Sequence, residues 1–124
     1  KFRILYKKEI MGKLVIGIIL FLMGQALIWV QTNGQFVWTW AKENPFWMAA
    51  IFSMPISYMF IYATTYVVGY FDGSLWPGRF IGFGTGMIVF CILTYLVMGE
   101  GITIKTLISL ILATTLVAIQ IFWK

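Results

Sequence analysis

Four continuous apolar runs divide this chain, at about residues 14–31, 45–70, 80–98 and 102–123. They do not alternate apolar with polar, as a half-buried strand would. About 20 apolar residues rising 1.5 Å each cross a bilayer core of about 30 Å. Each run therefore predicts a membrane-spanning helix, because in lipid a helix satisfies its own backbone polar groups. The last two runs are linked only by a few residues around Gly99-Glu100-Gly101 and predict a tight antiparallel hairpin. With a second hairpin from the first two runs, the expected fold is all-α. It is an integral membrane bundle of four transmembrane helices over residues 14–124, preceded by a basic segment, residues 1–13.

Loop signals separate the runs. Thr32-Asn33-Gly34 ends the first, and Asn44 stands as a cap before Pro45, a first-turn proline. Asp72-Gly73-Ser74 and Pro77-Gly78 break the second run from the third. Trp38, Trp40, Trp47, Trp76 and Trp123 lie near span ends, where indole rings favour the headgroup region, and only Trp29 is placed to sit deeper.

Composition agrees with lipid as the solvent. The 124 residues are 61% hydrophobic and 10% charged, against roughly 25% charged in soluble domains. So small a body is mostly surface and has no room to hide that many apolar side chains from water. The net charge of +5 records topology. Lys1, Arg3, Lys7, Lys8, Lys13, Arg79 and Lys124 fall on one side, Lys42 and Lys105 on the other. This bias predicts both termini in the cytoplasm of a prokaryotic-type inner or plasma membrane. Met11-Gly12-Lys13 reads as a natural start, which would make residues 1–10 either an amphipathic extension or not native. Without them the bias falls to three against two, weak enough for insertion in both orientations. No secretory signal peptide is expected, and the lone Cys91 says nothing of redox compartment.

The chain has no histidine, and its four acids, Glu9, Glu43, Asp72 and Glu100, lie in loops or at span ends. A metal cluster, a nucleophile–base pair or a phosphate loop cannot be built from this set. The chain is expected to be neither an enzyme nor a cofactor carrier. Its partner is the bilayer, not nucleic acid, since the basic N-terminal run suits anionic headgroups.

Polar and aromatic residues inside the runs are the remaining candidates. Tyr58, Tyr62, Tyr66 and Tyr70 recur every four residues and share a broad face. They either line a cavity for an organic cation or pack against neighbouring helices, with Tyr70 at the interface. Gln25, the only strongly polar residue between Leu14 and Val30, is either a substrate contact or a helix–helix hydrogen bond. Gly82 and Gly86 form a Gly-xxx-Gly pair with Gly84 between them, a place for close packing or for a bend. Pro55, beside Ser53 and Ser57, predicts a kink in the second span.

Gly84-Thr85-Gly86-Met87-Ile88-Val89, running through Thr94-Tyr95 to Met98-Gly99-Glu100, resembles the third helix of the small multidrug resistance family. Ile102-Thr103-Ile104, Leu107-Ile108-Ser109 and the helix after them resemble the same family and the wider drug/metabolite transporter superfamily. Asn44-Pro45-Phe46-Trp47 is similar to the opening of the second helix in small members of that superfamily. The resemblance implies a four-helix transporter whose subunits meet along the fourth helix, here at Ser109, Ala113 and Ala118. It implies a third-helix bend at the glycines. The family's membrane-embedded glutamate in the first helix has no counterpart between Leu14 and Val30, and Gly82 replaces an aromatic residue. Proton-coupled exchange is therefore not expected.

Two functions follow. One is a homo-oligomeric transporter of an organic cation or amphipathic metabolite, with Tyr58, Tyr62, Gln25 and Thr85 binding it. The other is a non-transporting subunit packed against a larger membrane-protein partner. A pore is disfavoured, since no helix carries a continuous polar stripe.

Overall fold

A computed structural model describes residues 2–123. Lys1 and Lys124, both counted in the charge balance, lie outside the described residues. The elements are α1 (Phe2–Asn33), a 3₁₀ turn (Gly34–Phe36), α2 (Thr39–Glu43), α3 (Pro45–Tyr70), α4 (Leu75–Met98) and α5 (Ile104–Phe122). The described residues contain no strand. α1, α3, α4 and α5 are long and apolar enough to cross a membrane, so the chain is an integral, multi-pass, all-α protein.

α1 holds 32 residues, about 48 Å at 1.5 Å per residue, longer than a bilayer core. No helix break separates the basic segment from the first span. Residues 2–9 are exposed and form the protruding start of the same rod. Lys13 and Glu9, four apart, make the one ion pair among the described residues at 3.5 Å; exposed as it is, it adds little stability. Glu100 and Lys105 make none.

α3 begins and ends where the apolar run does. Asn44 takes the N-cap position and its carbonyl accepts the Met48 N–H, but its side-chain amide donates to the Trp40 carbonyl (2.9 Å) and closes α2 instead of capping α3. α4 starts at Leu75, five residues before the expected point, because Pro77 and Gly78 fall in its first turn. There the missing proline N–H has no helical partner to lose. Gly78 lies close under Val68 and Val67 of α3, so its small size has a packing use. The chain reverses through Asp72 (φ 55°) and Gly73 (φ 89°), and Gly99 (φ 70°) ends α4 in the left-handed region. Thr103 caps α5 by accepting from the Thr106 N–H at 3.3 Å.

α1 is the central rod, packed on α3 along one face and on α4 along another. Against α3 the partners descend as α1 ascends: Gly17 meets Ala63 and Val67, Gly24 meets Phe60, and Gln31 reaches Met48, Ala49 and Ser53. Against α4 they ascend together, with Phe21 beside Gly82, Gln25 beside Gly86 and Trp29 beside Thr94. Phe21, Ala63, Val67 and Ile81 form the buried core where the three helices meet. The backbone of α5 approaches α4 alone. No α5 residue is buried.

Candidate functional site

The polar centre of the bundle is the carbonyl of Gly82. It accepts the Gln25 side-chain N–H at 3.0 Å and the Thr85 hydroxyl at 2.9 Å. Gly86 makes the space, since a Cβ there would stand 2.9–3.0 Å from three atoms of the Gln25 side-chain amide. An amide left without a partner in lipid costs several kcal/mol. Gln25 therefore spends its Nε2 donor on a bond between helices. Gln25→Leu is expected to cost about 0.6–2 kcal/mol, read as a small fall in unfolding temperature in mild detergent. Unchanged stability would mean the amide contributes nothing net. The glycines divide between two interfaces: Gly82 and Gly86 face α1, whereas Gly84 faces Val117 of α5 at 3.2 Å from its would-be Cβ.

A second polar link joins α1 to α4. The buried Trp29 indole N–H donates to the Thr94 hydroxyl at 3.0 Å. Trp29, itself near the end of the first run, is legible in the sequence as the tryptophan placed to sit deepest, but its bond to Thr94 is not. The signal pointing to Trp29 is its isolation from the interfacial tryptophans, together with a threonine inside α4.

The tyrosines do not join this centre. Tyr58 and Tyr62 are 61% and 52% exposed, on the side of α3 turned away from α1. A four-residue repeat precesses about 40° per step on a 3.6-residue helix. The ladder thus winds inward, and Tyr66 and Tyr70 are half-buried. Tyr62 and Tyr66 keep ring contact at 6.5 Å between centroids. Within one chain, then, Tyr58 and Tyr62 share no cavity with Gln25 and Thr85. Pro55 sits inside an unbroken α3, and the neighbouring Ser53 hydroxyl accepts from Gln31 of α1 at 3.2 Å.

On α5, Ser109 is exposed and bonds its own helix at the Lys105 carbonyl (3.0 Å). Ala113 and Ala118 border the groove against α4, and Ala118 also borders the outward surface with Thr115, Ile119 and Phe122. The outward face is otherwise bulky, with Ile104, Ile108, Ile111 and Leu112 exposed.

Because α5 stands off from α1, a cleft of about 1110 Å³ opens between the start of α1, α4 and the end of α5. Buried Thr85 lines it, with Ile81, Ile88, Val117 and Ile121 giving apolar walls. Lys7, Asp72, Tyr70 and Trp76 border it from the α3–α4 turn and the start of α1. Asp72 pairs with no described cation. The cleft thus combines an apolar interior with an aromatic and charged rim, the composition of a site for an amphipathic small molecule. Thr85 is the one expected binding residue that lines it. Comparison with known protein families, curated proteins and solved structures finds no match for the chain.

Proposed function

We propose that the chain is a small transporter-like membrane protein of the drug/metabolite transporter kind. It takes an organic cation or amphipathic metabolite into the cleft beside Thr85. The observation that carries this reading is the cleft itself, left open because α5 leans on α4 alone. Its rim supplies one carboxylate, Asp72, which offsets the single cation there, Lys7, and the rings of Tyr70 and Trp76. A cation over such rings gains about 0.5–2 kcal/mol per good contact. No acid lies within the spans to carry a proton, so movement is facilitated and not proton-exchanging. Tyr58 and Tyr62 enter the site only where a second copy covers the outward face of α3.

The test is uptake of a labelled quaternary ammonium cation into vesicles holding this chain alone. Saturable uptake is expected. Asp72→Asn and Trp76→Ala should each raise half-saturation about fivefold or more, and Ile88→Trp should block the cleft. Loss on Tyr62→Ala with no effect of Asp72→Asn would move the site to the α3 face. The absence of any saturable uptake rejects the proposal.

One observation favours a second reading, an accessory subunit in a larger membrane assembly: α5 offers a full-length bulky face with nothing of its own chain upon it. That reading expects a different membrane protein to co-purify in fixed ratio, and recovery of homodimers alone in gentle detergent would count against it.

A further inference from the structure

A second recess lies on another face of α4, away from the cleft. α3 and α4 approach each other far less than either approaches α1, and a groove of about 560 Å³ remains between them. Phe21 and Gln25 of α1 and Gly82 of α4 border it deep in the bundle, while Phe60 of α3 and Phe83 and Phe90 of α4 supply aromatic walls. One formal charge borders it, Arg79, in the second turn of α4. Arg79 is exposed and pairs with no described carboxylate.

We infer that this groove holds one acyl chain of an anionic phospholipid, with the lipid phosphate on the Arg79 guanidinium. Three features select this occupant. The groove carries a single charge, at one end, and its other polar side chains, Gln25 and Thr64, are neutral, so it suits a ligand with one charged terminus. From Arg79 to Phe90 the helix rises about 16 Å at 1.5 Å per residue, close to one leaflet of a core about 30 Å thick. The charged end is cationic, and a guanidinium binds phosphate through two parallel hydrogen bonds, which an ammonium cannot match. Arg79 lies about 6 Å from the start of α4, near enough for its long side chain to reach the headgroup layer while the stem stays on apolar surface. An organic cation is repelled there, because no carboxylate borders the groove to offset Arg79, whereas at the cleft Asp72 offsets Lys7.

The test uses the full chain in mild detergent, with unfolding temperature read against added phosphatidylglycerol, phosphatidylcholine of the same acyl length, or inorganic phosphate. Phosphatidylglycerol should stabilise at about tenfold lower concentration than phosphatidylcholine, whose phosphate is the same but whose choline cation neutralises it and is repelled by Arg79. Arg79→Gln should abolish that preference and Arg79→Lys should keep part of it. Thr64→Phe, which narrows the groove from its α3 wall, should weaken both lipids. Lys8→Gln, far along α1, should leave the preference unchanged and so exclude a general surface-charge effect. A preference that survives Arg79→Gln, or stabilisation by inorganic phosphate alone, would overturn the assignment. None of these readings depends on transport.

Discussion

Gly17→Leu is expected to part α1 from α3 and lose the folded bundle. A Cβ at position 17 would stand 3.0 Å from a Val67 methyl and 3.2 Å from both the Ala63 carbonyl oxygen and the Tyr66 Cβ. Two of those obstacles are tied to the α3 backbone and cannot rotate away, so the helices themselves must separate. Overpacking a tight site costs about 1–3 kcal/mol and occasionally more. This site belongs at or above the upper limit, because Ala63 and Val67 are wholly buried and sit in the core that also includes Phe21 and Ile81. Gly12→Leu is the matched control, since nothing lies within 4 Å of its would-be Cβ. Denaturation in rising dodecyl sulfate should separate the two variants clearly. Equal midpoints would show that the α1–α3 contact is not what holds the bundle.

The spans were legible in the sequence, and the faces they present were not. An apolar run of hydrocarbon length has one good solution in lipid, so 45–70 read directly as α3. The start of α4 is less legible because Pro77-Gly78 reads as a break, although proline in a first turn removes no helical bond. The five residues of α2 left no apolar run to read. The faces are harder for a physical reason: lipid is as apolar as a helix interior, so hydrophobicity does not say which side of a membrane helix packs. The tyrosine ladder suggested a cavity wall, yet its first two rings face outward. Small residues are the better guide. Gly17 and Gly24, seven apart on one face, mark where α3 crosses α1, and that spacing was readable. The partner of Gln25 was not, because it is the Gly82 backbone carbonyl, an acceptor that any residue supplies. The cleft beside Thr85 also escaped, since it arises from where α5 does not pack.

Trp29→Ala is expected to be the most damaging change on the α1–α4 side. Trp29 is only 6% exposed, and its indole N–H is bonded to Thr94 across 65 residues of sequence. Truncating a buried tryptophan costs about 3–5 kcal/mol in soluble cores. Part of that figure reflects water meeting apolar surface, which lipid relieves, so about 3 kcal/mol is the better expectation here, most of it lost packing. The hydrogen bond accounts for a smaller share. Trp29→Phe keeps most of the ring volume and removes the donor, and Thr94→Val removes the acceptor at nearly constant shape. Each should cost about 0.6–2 kcal/mol, the range of interhelical bonds in membranes. Combining them should cost less than their sum, because once the bond is gone the second change removes nothing further. Full additivity would show that the indole and the hydroxyl are neighbours without being bonded. A Trp29→Ala variant as stable as Trp29→Phe would place the indole in lipid, and α4 would then owe its position beside α1 to the glycines alone.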